Sequence, residues 1–559
     1  MALHIKNGFV IDPKNGINGK MDLFVKDGVI VDQSEVKDNE CEVIDASNKL
    51  VVAGGIDIHA HIATRKVNAG RAMRPEEFRT VRGKSNNRFR STVGRTLLTS
   101  PGIGYEYAKM GYTTAVEPAT PPLYTLHTHE ELNSIPIIDK VCLPLFGNWH
   151  LVFKFAAEKD IEKLASFISW AMDRMKGYGV KLVNPGGVEA WMYGSNVHHI
   201  DDQVPGFDVT VREVITSLMK ANDELKMPHS IHIHCNNLGN PGNYETTLET
   251  LKLARGMKKD KRQNLHATHV QFNAFSGSEW KDISSGAEEI AKYVNNSDNV
   301  TMDMGQVIFG HSTTMTADSP FQFEMHKLMR KKWVNSDVEL ETGGGIVPVV
   351  YKPGSPVHAV MWTIGLELGL LVDPDKNAVS TDYPNGGPFE KYPYIMTMLL
   401  SKKYREEEMK KAHKYIQRST NLPSIETERT LEDIIKLTRT TPAKILGLED
   451  KGHLGTGADA DIAIYDINPQ ELNPNNYKEI EKALSSPACT IKGGEVVAKD
   501  GKLVKDIWGR TLWVDATHRT TTEIIEADLE EYFNYYTVMR SNYGVEEEWM
   551  RNPKRVEVR

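Results

Sequence analysis

The stretch Val51–Met73, VVAGGIDIHAHIATRKVNAGRAM, decides how the rest of the chain is read. An apolar run there ends in two histidines, His59 and His61, one residue apart. If LVVAGGIDI is a strand, its side chains alternate between faces with a period of two, so the two imidazoles point the same way. Neutral imidazole nitrogens packed that closely need a common electropositive partner, and a metal ion is the simplest one. A His-x-His alone fits a pair of satisfied or surface histidines as well, so the remaining sequence has to decide.

Seven further apolar runs follow, each ended by a turn: GYTTAVEPA, IDKVCLPLFGNW, GVKLVNPGG, HSIHIHCNN, NLHATHVQF, NVTMDMGQVIFG and AVSTDYPNGG. Helical patterns such as DIEKLASFISWAMDRMKG and TVREVITSLMKANDELK lie between them. Eight strands with interleaved helices predict an α/β chain built on a (β/α)8 TIM-like barrel, whose site forms at the strands' C-terminal ends. The first fifty residues alternate apolar and polar positions around Asn-Gly and Asp-Gly turns, and GADADIAIYDI and SPACTIKGGEVVAKDGKLV repeat that pattern near the other end. The expected organisation is a small β-sandwich domain built from 1–50 and 448–512 around a barrel at 51–447. A Tyr-rich and charged tail, 513–559, docks on the barrel or on a partner. The segment from about Gly310 to Asn377 exceeds an ordinary connection and is expected to be an insertion that covers the substrate, with a merely structural hairpin as the alternative.

Composition narrows the function. A net charge of −8 over 559 residues argues against nucleic acid as the partner. The N-terminus lacks a basic segment followed by an apolar one, and no apolar run approaches the roughly 20 residues that span a bilayer, so no membrane span and a cytoplasmic location are expected. Cys41, Cys142, Cys235 and Cys489 show no C-x-x-C spacing. Neither a disulfide framework nor an iron–sulfur site is readable, and no redox cofactor is expected in this chain.

The chemistry gathers where the strands end. Lys181 sits inside the fourth apolar run, where an ammonium would be desolvated; a neutral amine there could react with carbon dioxide to give an anionic carbamate. A lysine paired with an acidic neighbour is the plainer alternative. In the fifth run His232 and His234 share one face and His229 the other; His234 is nearest the C-terminal end and is the candidate ligand, with His232 a deeper barrel residue. His266 and His269 in the sixth have opposite parity and are not expected to face inward together, so His269 is preferred. The eighth run ends at Asp382. A second His-x-His, His127 and His129, opens a helix after Pro-Pro and is assigned no metal. LGTGADADI lacks the strand and helix of a phosphate loop.

The order His-x-His, Lys, His, His, Asp resembles the amidohydrolase superfamily with a binuclear metal centre. The resemblance implies that His59, His61 and Asp382 hold the more buried of two divalent metal ions, zinc by expectation. His234 and His269 would hold the second, and N6-carboxylated Lys181 would bridge them. More narrowly, IKNGFVIDPKNGINGKMDLFVKDG, GGIDIHAHIA, PPLYTLHTHEEL, HIHCNNLGNPGN, HATHVQF and STDYPNGGPF resemble the A-subunit family of formylmethanofuran dehydrogenases of methanogenic archaea. That resemblance implies a subunit that condenses formate with the amine of methanofuran, a linear C–N amide bond, reversibly. Carbon dioxide would be reduced in molybdenum or tungsten formate-dehydrogenase-like and iron–sulfur partner subunits. Asp382 would carry the proton. Asn236, Asn237 and Gln271 follow the ligands closely and either hydrogen-bond the substrate or brace loops, and Arg65, Arg71, Arg74 and Arg79 after the first strand either face an anionic group or form a solvated face. Tyr383 stands where many amidohydrolases have His. The alternatives are a stand-alone cyclic-amide or formamide hydrolase and a non-catalytic scaffold subunit.

Overall fold

The computed structural model describes residues 2–36, 41–75, 96–257, 262–316, 318–338, 342–536 and 538–558. Eight strands, Gly55–Asp57, Tyr112–Thr120, Asp139–Pro144, Lys181–Val183, Ile231–His234, Leu265–Ala267, Val300–Asp303 and Asn377–Ala378, follow one another around a barrel. Every pairing is parallel. Two parallel bridges, Leu145 with Lys181 and Ala60 with Tyr383, close the circle. The eight runs read from the sequence are these eight strands. Helices connect them because parallel neighbours need a crossover. The helix Val211–Glu224 shows why such segments form: Thr210 and Glu213 make a capping box, and Val211, Val214, Ile215 and Leu218 bury one stripe.

The first run is two strands, not one. Leu50–Ala53 pairs with Ile462–Tyr465 in the terminal β-sheet, and only Gly55–Asp57 enters the barrel. At the crossing a Cβ on Gly54 would lie 2.3 Å from Thr113 Oγ1, and one on Gly55 2.6 Å from the Tyr112 ring, so glycine is required where the two sheets meet. The expected sandwich is, by hydrogen bonding, one nine-stranded sheet, with five strands from the N-terminal side and four from the C-terminal side. A bulge between Ile5 and Gly8 turns the strand Ala2–Asp12, which pairs first with Cys41–Asp45 and then with Leu50–Ala53. Leu3, Val25, Ile462 and Ile491 belong to its own core.

A buried ion network joins this sheet to the N-terminal end of the barrel. Asp139, at the start of the third barrel strand, meets Lys451 at 2.7 Å, Lys492 at 2.9 Å and Arg510 at 2.8 Å. Lys451 also reaches Asp459 and Asp461. The tail packs on the barrel: Thr511–Asp515 pairs beside Lys140, and Trp149 Nε1 donates to Tyr532 Oη at 3.0 Å. No helix of the described residues is long and apolar enough to cross a membrane.

Over the barrel mouth lies the antiparallel sheet Gly310–Thr316, Thr342–Tyr351 and Val334–Val338 with the helix Ser319–Met329. Arg74 fastens it through the Ser312 carbonyl at 2.6 Å and Thr313 Oγ1 at 2.8 Å. Asn385 Oδ1 accepts from Met315 N at 2.6 Å. The expected insertion is shorter than its forecast limits, because Pro356–Leu371 is a helix packed along the barrel against Ala287–Asn295.

Candidate metal centre

Lys181 opens the fourth barrel strand and His234 ends the fifth, while His59, His61, His269 and Asp382 lie just past the ends of the first, sixth and eighth. The turns that present them are tight. His269 and Asp382 take φ of 38° and 48°, and Asn184 and Asn237 after the fourth and fifth strands take 41° and 58°. Left-handed non-glycine residues each cost of order 1–3 kcal/mol and cluster where geometry serves function.

The structure brings all six residues to the wall of one cavity, about 700 Å³ including its mouth. Asp382 Oδ1 is 3.1 Å from His59 Nε2 and 3.3 Å from His61 Nε2. The His234 and His269 rings are 4.8 Å apart, and His59 and His269 5.1 Å. Burial holds all four imidazoles well below their usual pKa, so they are neutral and carry lone pairs. Burial also lowers the Lys181 amine to about 7 and pushes the Asp382 carboxyl well above its usual range. Lys181 Nζ, His234 Nε2 and His269 Nδ1 are buried without a hydrogen-bond partner. Each such orphan costs about 1–3 kcal/mol, which bound cations would remove. The donor set therefore fits divalent metal ions, and His59, His61 and Asp382 offer three ligand atoms within 4.8 Å of one another.

A chain of imidazoles stands behind His59. The Ile445 carbonyl can only accept, so His229 Nδ1, 2.8 Å away, carries a proton. His229 Nε2 is then an acceptor for His232 Nδ1 at 3.0 Å, and His232 Nε2 for His59 Nδ1 at 2.9 Å. His59 is left with its Nε2 lone pair facing Asp382 and the cavity. Thr268 Oγ1, 2.5 Å from the same Nδ1, is a second acceptor. Glu117, within the second strand Tyr112–Thr120, performs this office for His61: its carboxylate lies 3.4 Å from Nδ1 and accepts from Ile62 N and Ala63 N.

Two sequence expectations are corrected here. His229 is not turned away from His232 but sits beneath it, because it precedes the strand and escapes its alternation. His266 also faces the barrel interior, 4.7 Å from the His232 ring and 3.2 Å from Asp303 Oδ2, although His269 does so too. The strand ends at Ala267 and the backbone reverses at His269, so parity no longer applies.

A profile described as Amidohydrolase family matches residues 42–498. The chain belongs to the amidohydrolase family. Among its relatives, Protein FwdA of Methanocaldococcus jannaschii is 48% identical, over 98% of this chain and 97% of its own. The A-subunit of the formyltransferase/hydrolase complex Fhc of Methylorubrum extorquens is 35% identical, over 92% and 91%. A chain in the crystal structure of the FhcABCD complex from that organism, determined with methylofuran, superposes with a TM-score of 0.90 at 32% identity, each covered in full.

Most of the other residues of this amidohydrolase singled out in the sequence have partners away from the cavity. Asn236 donates to Asn184 Oδ1 at 2.8 Å and to the Pro185 carbonyl, and Asn237 Oδ1 meets His198 and Asn240. Neither belongs to the cavity wall, nor does Gln271, whose buried amide has no partner. Arg71 pairs with Glu131, Arg65 stacks on Tyr124, and Arg74 holds the insertion; Arg79 lies outside the described residues. His127 meets Asn68 and His129 the Met175 carbonyl. Tyr383 turns its hydroxyl to Leu98 N at 2.9 Å, away from the candidate ligands. Sequence reading missed Glu117, Asp303, Lys66 and Asp318. Of these, Lys66 Nζ is buried without a partner five residues beyond His61.

Proposed function

We propose that this chain is the formyl-handling subunit of a formylmethanofuran dehydrogenase-type complex, joining formate to the primary amine of methanofuran and hydrolysing the product in reverse. The observation that carries the reading is that His59, His61, Lys181, His234, His269 and Asp382 share one cavity in a chain similar over nearly its whole length to FwdA and to the Fhc A-subunit. His59, His61 and Asp382 would hold one divalent ion, His234 and His269 another, with a carboxylated Lys181 between; zinc suits the nitrogen-rich donor set. Two such cations supply Lewis acidity, acidifying water and polarising the formyl oxygen.

The protein's own groups set the rest. Asp382 faces the cavity, so it is placed to take a proton from water in hydrolysis and pass it to the departing amine. In synthesis it takes a proton from the substrate's ammonium, freeing the amine lone pair that attacks the formate carbon, and returns the proton to the oxygen that departs as water. Asn385 Nδ2 donates to Asp382 Oδ1 at 2.8 Å and fixes its orientation. Leu238, Phe272, Trp280, Phe321 and Met361 give the cavity apolar walls that fit the organic body of an amine substrate and exclude water from the reacting end. Reduction of carbon dioxide would fall to partner subunits carrying molybdenum or tungsten and iron–sulfur centres; the similar Methylorubrum extorquens chain is itself part of the FhcABCD complex.

The test is elemental analysis of the natively purified protein, with formate release from N-formylmethanofuran as the activity. About two zinc per chain and rapid formate release support the reading. Turnover of hydantoins or dihydropyrimidines by a solitary chain, with none of the formyl amine, would overturn it.

A further inference from the structure

The insertion over the barrel mouth carries a carboxylate into the candidate metal centre. Asp318 is 2% exposed and stands immediately before the helix Ser319–Met329. Its Oδ1 is engaged, accepting from Asn184 Nδ2 at 3.1 Å and from Phe321 N at 3.2 Å. Its Oδ2 lies 3.3 Å from His234 Nε2. That contact is not a hydrogen bond: His234 Nε2 has no hydrogen-bond partner although a carboxylate oxygen is within reach. Two acceptors converge on a point between them.

The spacing repeats what is seen across the cavity, where Asp382 Oδ1 stands 3.1 and 3.3 Å from His59 and His61. Two donor atoms each about 2.0–2.2 Å from one cation are about 3.0–3.5 Å apart. A carboxylate buried in this way without compensation is unfavourable, and Asp318 meets no lysine or arginine within ion-pair distance among the described residues. Its surroundings hold it in place: Asn236 fixes Asn184, and Asn184 donates to Asp318.

We propose that Asp318 is a ligand of the metal ion held by His234, so that seating of the insertion completes the second metal site. This rests on the metal-centre reading above. Because the carboxylate arrives on a segment distant in sequence from the barrel ligands, occupancy of that site and closure of the insertion are coupled: the ion stabilises the closed insertion, and the closed insertion retains the ion.

The test uses the full complex with Asp318→Ser and Asp318→Asn. Both residues keep the helix cap, since serine and asparagine are good N-cap residues, but serine is too short to reach the ion. Metal per chain is measured after dialysis against a weak chelator, and proteolytic cutting within 310–351 is followed with and without added zinc. The expected result is about one ion per chain in Asp318→Ser against about two in wild type, an affinity loss of about 10- to 100-fold at one site, and zinc protection of the insertion in wild type only. Asp318→Asn should fall between. Two ions retained by Asp318→Ser, with release rate and zinc protection unchanged, would overturn the proposal and leave the metal centre standing. A wild-type complex without metal would remove both together.

Discussion

The imidazole chain behind His59 gives the sharpest prediction. In His232→Leu, His59 Nδ1 loses its acceptor at 2.9 Å and His229 Nε2 loses its donor at 3.0 Å. The first loss frees His59 to turn its proton toward the metal, and partners of this kind are worth about 10- to 100-fold in metal affinity, or about 1.4–2.7 kcal/mol. The second leaves a buried acceptor unpaired and costs about 1–3 kcal/mol of folding stability, with or without metal. Thr268 Oγ1 can still accept from His59, which places the single variant at the lower end; His232→Leu with Thr268→Val should exceed the sum of the two singles. His232→Gln supplies an amide oxygen for His59 and an amide N–H for His229, so it should restore most of both losses. Metal affinity is read by competition with a chromophoric chelator, and stability by urea unfolding of the metal-free protein. Unchanged metal affinity in His232→Leu, or a glutamine variant no better than leucine, would refute the reasoning.

Other expectations follow from the same geometry. Lys181→Ala should lose both ions in elemental analysis, and reloading of metal-free wild type should slow when carbon dioxide and bicarbonate are excluded; full metal content in the variant would contradict the bridging role. Asp382→Asn should keep most of its metal while formate release falls at least about 100-fold, and a near-normal rate would remove Asp382 from proton transfer. At the junction of barrel and β-sheet, burial opposes ionisation of Asp459, but Lys451 and Arg510 draw its carboxyl from 3.8 down to about 2. A depressed folded pKa gives stability that is complete above the unfolded value and disappears as pH falls from about 4 to about 2. Chelated wild type should therefore exceed Asp459→Asn in melting temperature at pH 6, with the gap closing over that acid window; a gap independent of pH would refute the assignment.

Much of this protein is set by local pattern. Short apolar runs ended by turn residues, with helical patterns between them, mark the eight barrel strands, and the placement of His59, His61, Lys181, His234, His269 and Asp382 in those runs marks the strand ends as the site. Periodicity is a property of neighbouring residues, so it survives in one dimension. It fails where the strand stops: His266 and His269 both reach the interior because the backbone reverses after Ala267, and His229 lies under His232 because it precedes the strand.

Only the tertiary structure decided the contacts between distant segments. His59 and His232 are 173 residues apart, Asn184 and Asp318 are 134, and Asp139 and Arg510 are 371. Nothing in the immediate neighbourhood of Glu117, Asp318 or Asp139 tells which partner offsets its burial, since that is settled by which strand ends and loops the closed barrel brings together. The sequence by itself determined a barrel with ligand-type residues at its mouth; folding determined which lone pair each ligand presents and which segment closes over it.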